Sequence, residues 1–137
     1  MGLRSTFIFE IFPYPGRDEP EMITLHLYKH EDSDPASMQR DIGHHWRAAR
    51  QQLAGDMNSY NHHPQISLCQ AIAGLMMADA AGEFRLTDAV SGDSEYVYRF
   101  QQPSINGDET QLTITDTASR KIVFEGTYRQ FANFPFL

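Results

Sequence analysis

PQISLCQAIAGLMMADAA, residues Pro64 to Ala81, is the most apolar helical stretch in the chain, and the other elements read as material that packs on it. Ile66, Cys69, Ile72, Ala73, Met76 and Ala80 recur at the three- and four-residue spacing of one helix face. Leu68, Leu75 and Met77 extend the apolar surface, so the helix is expected to be covered on more than one side. Pro64 suits a first helical turn, where its missing N–H has no partner to lose. Gly82 is a natural left-handed stop. At roughly 16 residues, with Gln70 and Asp79 inside it, the segment is too short and too polar to span a bilayer. Its methionines read as core filler.

Working outward, Ser5–Phe12 (STFIFEIF) alternates Phe7, Phe9 and Ile11 on one side, while Ile8 and Phe12 make the other side apolar too. That pattern predicts a strand covered on both faces. Pro13-Tyr14-Pro15-Gly16 breaks it. Glu21–Tyr28 alternates Ile23, Leu25 and Leu27 against Thr24, His26 and Tyr28, which predicts an antiparallel partner joined through an acidic loop. Asp34-Pro35 is a helix start, with Asp34 as cap. Met38, Ile42, Trp46, Ala49 and Leu53 then run down one face to a stop at Gly55, and Arg40, His44, Arg47 and Gln51 occupy the opposite face, with Arg50 alongside.

Beyond the central helix, a short strand is expected at Glu83–Asp88. Glu95–Gln101 follows, with Tyr96, Tyr98 and Phe100 on one face. Thr110–Asp116 places Leu112 and Ile114 inward, and Lys121–Glu125 places Ile122 and Phe124 inward. Gly126 marks a bulge or strand end, and Thr127–Phe131 is a helical turn or a continued strand. Segregated elements of this kind predict a single α+β domain. Two helices pack on one face of an antiparallel sheet of about five strands, in the order ββααβββ.

Composition narrows the function classes. The 137 residues suit one domain with a substantial core, and 41% hydrophobic content argues for a folded chain. One cysteine, Cys69, excludes an internal disulfide and fits a reducing, cytoplasmic setting. No charged-then-apolar leader opens the sequence, because Glu10 interrupts Phe7–Phe12. The net charge is −7, and residues 10–34 account for −5 of it, with seven acids against Arg17 and Lys29. Such a balance opposes direct binding to nucleic-acid phosphates. It permits docking onto a protein with a basic surface, and Asp18, Glu19, Glu21, Glu31 and Asp32 are the partner-binding candidates.

Six histidines stand out: His26, His30, His44, His45, His62 and His63. No HExxH or tight Cys/His pattern organises them. His26 and His30 would lie roughly 13 Å apart on a strand, beyond one metal shell. A composite site from His30, Asp32 and Asp34 with His62 or His63 is the alternative reading, a small metal-binding or hydrolytic enzyme. Neither GxSxG nor a Gly-rich phosphate loop is present. Asp32 and Asp34 flank a helix start, where capping accounts for them. The Tyr96/Tyr98/Phe100 stripe has no RNP-like companion and reads as core.

Leu27-Tyr28-Lys29-His30-Glu31-Asp32-Ser33-Asp34-Pro35 resembles the strand-end motif Tyr-Arg-His-x-Asp-Gly-Tyr-Pro of a loose family of small phage and prophage proteins of unknown function. Ser33-Asp34 stands where that motif has Gly-Tyr. Glu95-Tyr96-Val97-Tyr98 and Phe124-Glu125-Gly126 with Phe131 are similar to the family's second half. The resemblance implies a mobile-element origin and an accessory or anti-defence role, and it implies no catalytic residue.

The leading expectation is therefore a small acidic protein that binds a macromolecule, as an inhibitor or modulator of a host protein, without a cofactor and without a membrane anchor. A further alternative is a homodimer joined through a sheet edge or the Phe134/Phe136 tail. The metal-site alternative has a direct check. Elemental analysis of the purified protein is expected to return well under one equivalent of zinc, manganese or iron. Near one equivalent, lost in His30→Ala, would establish the enzyme reading instead.

Overall fold

Nine elements follow from these patterns in a computed structural model of the chain. They are β1 (Ser5–Ile11), β2 (Ile23–Lys29), α1 (Pro35–Met57), α2 (Leu68–Met77), β3 (Phe84–Thr87), β4 (Tyr96–Gln101), β5 (Gln111–Asp116), β6 (Lys121–Gly126) and α3 (Tyr128–Ala132). The structure describes residues 4–11, 23–30, 33–57, 68–78, 84–90, 92–101 and 110–136, excepting the side chains of 52–57, Leu68 and Tyr128.

The α+β class holds, and the sheet differs from expectation. It has six strands in the order β3-β2-β1-β4-β5-β6, and it is mixed rather than antiparallel. β1 pairs antiparallel with β2 and parallel with β4. The expected all-antiparallel sheet treats each strand as the hairpin partner of its predecessor. Here the chain leaves β2 through two helices, returns first as β3 on the outer edge of β2, and only then crosses to the open side of β1, where β4 runs parallel to it, as a parallel neighbour requires a long connection. The short strand β3 is real and closes the β2 edge. Among the described residues the last element is the helix α3, so the order is ββααββββα.

Helix α1 begins as its sequence dictates. Asp34 Oδ2 accepts the Ser37 N–H at 3.2 Å, and the Asp34 carbonyl accepts the Met38 N–H at 2.9 Å. The first satisfies a donor that a helix start otherwise leaves orphaned, and the second is the first regular bond of the helix. Met38, Ile42, Trp46 and Ala49 are fully buried. The helix runs through Gly55 to Met57 instead of stopping, because a glycine costs a helix about 1 kcal/mol without forbidding it. In α2, Cys69, Ala71, Ile72, Ala73 and Met76 are buried, Leu75 is half-buried and Met77 is exposed. The cover on that helix is therefore a broad stripe that leaves Met77 out, and Ile66 and Ala80 lie outside the described residues.

The helices share one sheet face with Phe7, Phe9, Leu27, Tyr98, Phe100 and Leu112. Trp46 meets Phe100 edge-on at 5.9 Å, and the Cys69 thiol donates to the Phe100 carbonyl at 3.5 Å. Tyr98 donates its hydroxyl to the Ser33 carbonyl at 2.6 Å, which ties β4 to the residue just before the α1 cap. The expected cover on both faces of β1 is met at Thr6 and Ile8, which are buried on the face away from the helices, while Phe12 lies outside the described residues. Ile8 is the apolar residue of that pair. Its cross-strand partners are His26 and Arg99.

On β6, Ile122 was expected inward and is 57% exposed. Ile114 pairs with Phe124 but Thr115 pairs with Ile122, so Val123 is an extra residue. A bulge of this kind flips the side-chain alternation on one side of it. Gly126 ends the strand, and a Cβ there would run into the Gln130 side chain. Gln130 Oε1 accepts the Thr127 N–H at 2.8 Å and so caps α3. In the β5–β6 turn, Asp116 Oδ1 accepts the N–H groups of Ala118 and Ser119, and Arg120 adopts φ 58°.

Two outcomes follow from this packing. Burial first, and then the nearby Glu10 charge, push the Cys69 thiol from 9.0 up to about 12. The thiol's contribution to stability is complete below pH 9, where the unfolded thiol begins to ionise, and is lost as pH rises toward 12. Between pH 9 and 10 the parent protein should lose about 1 kcal/mol more stability than Cys69→Ala, read by denaturant titration. The native thiol should also react far more slowly with an alkylating reagent than the denatured one. Separately, Arg120→Gly should raise stability by about 0.5–1 kcal/mol, since glycine accepts a left-handed backbone without the Cβ clash. A drop in the denaturant midpoint would refute it.

Candidate interaction surface

The sheet face opposite the helices is polar, and its side chains are locked to one another. Glu10 projects there from β1 because it alternates with the inward Phe9 and Ile11. Its cross-strand neighbour on β4 is Gln101, with Arg99 two residues before. Arg99 Nη1 lies 2.6 Å from Glu10 Oε1, and Gln101 Nε2 donates to Glu10 Oε2 at 2.8 Å. Both carboxylate oxygens are thus engaged, and Glu10 acts as an acceptor in a fixed cross-strand latch.

A second latch closes the other end of β1. Asp93, in the turn before β4, accepts the Tyr28 hydroxyl at 3.1–3.2 Å and pairs with Arg4 at 3.2 Å. The Tyr28 phenol is held above its ordinary range, by burial first and by the Asp93 bond and charge next. Beside it, the Thr6 and Ser94 hydroxyls lie 2.7 Å apart, and Thr117 Oγ1 donates to the Ser94 carbonyl at 2.6 Å.

Four described acids therefore have structural tasks. Glu10 and Asp93 hold basic and polar partners, while Asp34 and Asp116 accept backbone N–H groups at a helix start and a turn.

The acids singled out for partner binding, Asp18, Glu19, Glu21, Glu31 and Asp32, lie outside the described residues. The strand ends from which their segments depart are described. Residues 12–22 connect Ile11 and Ile23, which are paired, whereas Glu31 and Asp32 follow Lys29, which pairs with Ser5 at the other end of β2. Those two ends are roughly 20 Å apart. In the chain, three of the acids thus precede β2 and two follow it.

The composite histidine site is not assembled by the described residues. His30 is exposed at the end of β2 and its ring centre is 6.3 Å from that of Tyr28. Asp34 is committed to its cap, and Asp32, His62 and His63 lie outside the described residues. Among the described residues, no three His, Cys, Asp or Glu side chains come together as a metal site. His45 is buried, with Nδ1 2.8 Å from the Asp41 carbonyl and its ring against Phe84. The α1 row of Arg40, His44, Arg47 and Gln51 is exposed, as its spacing predicts. Among the described residues, no helix is long and apolar enough to cross a membrane.

The aromatic tail is used inside the fold. Phe124, Phe131, Phe134 and Phe136 form a cluster with ring centres 4.6–6.0 Å apart. Gln39 of α1 holds it from the other side. Its Nε2 donates to the carbonyls of Phe131 at 2.7 Å and Phe134 at 2.8 Å. A tail engaged this way leaves only part of Phe134 and Phe136 for a second copy.

Sequence reasoning missed both latches and the Gln39 clamp. Glu10 inside an apolar strand was the visible signal, since an acid there needs a partner. Arg99 is 89 residues away, and no local pattern links the two. No family model, no curated protein and no solved structure matches this chain.

The clamp has a specific consequence. Gln39→Ala removes the donor to two carbonyls and should cost about 1–2 kcal/mol. Amide exchange should accelerate at Phe134 and Phe136, whose N–H groups bond to the Phe131 and Phe134 carbonyls, more than in the central strands. Unchanged exchange at those two amides would show that the aromatic cluster alone holds the tail.

Proposed function

We propose that this protein acts by binding another macromolecule. Two acidic segments at the ends of β2 meet a basic protein surface, and Asp18, Glu19, Glu21, Glu31 and Asp32 supply the field. The observation that supports this reading is the division of labour among the acids. Glu10, Asp34, Asp93 and Asp116 are each engaged within the fold, while the segments before and after β2 carry five further acids against Arg17. Charges arranged in this way raise encounter rates and set orientation more than they add affinity. The resemblance of Leu27–Pro35 to small phage and prophage proteins extends the proposal to a mobile-element modulator or inhibitor of a host defence protein.

The test starts from a pull-down out of bacterial lysate, followed by binding of the recovered partner across a salt series. Association should slow as salt rises, because exposed charges farther apart than about 8 Å are screened at physiological ionic strength. The combined variant Asp18→Ser, Glu19→Gln and Glu21→Gln should weaken binding and leave stability within about 0.5 kcal/mol of the parent. Asp34→Ala serves as the contrast, since losing the cap should cost about 1 kcal/mol of stability. Affinity that is flat in salt, with the triple variant binding like the parent, would reduce the acids to a solubility device.

A further inference from the structure

We draw no further inference here: the strongest candidate, the exposed apolar corner of Ile23 on β2 with Leu86 on β3 and Val90 just beyond it, carries nothing because nothing in the structure shows what covers it.

Discussion

The parallel pairing of β1 with β4 is the contact from which the rest of the structure is built. It sets Phe7 beside Tyr98 and Phe9 beside Phe100 in direct register. The rings stack with centres 4.5 and 4.6 Å apart and planes 21° and 5° from parallel. Side chains of this size contribute both buried area and ring–ring attraction. Each layer then attaches to one of these four residues. Phe84 of β3 meets Phe7 edge-on, and Trp46 of α1 and Cys69 of α2 converge on Phe100. The Tyr98 hydroxyl reaches the segment that starts α1. A change that shifts β4 by one residue against β1 would turn all of these contacts to the wrong face.

The same pairing organises the polar face. With Glu10 beside Gln101, Arg99 comes within reach of the carboxylate, and at the other end Arg4 and Tyr28 close on Asp93. Exposed ion pairs add little stability by themselves. Glu10 is the more enclosed partner, and its two oxygens would be costly to leave without donors. The latches therefore specify register more than they add energy. They also remove these acids from the pool available to a partner, which directs the functional proposal to the segments at the two ends of β2.

Much of the architecture was legible in the chain. Capping at Asp34, the Met38–Ala49 stripe, the buried Cys69 and the alternation of β4 and β5 are local, periodic signals, and tertiary structure kept them, whereas Ile23 of β2 lies exposed. The misses have distinct causes. Gly55 yielded because its penalty is small beside a packed helix. Ile122 turned outward because a single extra residue, Val123, is invisible to a pattern that assumes strict alternation.

By itself, the sequence determined which segments as far as Gly126 are helix or strand, which faces are apolar, and where the negative charge is concentrated. Each of these depends on neighbours within a few residues. Only the tertiary structure decided that β4 runs parallel to β1, that Glu10 meets Arg99, and that Gln39 holds the tail. These facts join residues as far as 95 positions apart. Nothing in the spacing of such residues encodes their meeting, because it depends on the path of the whole intervening chain.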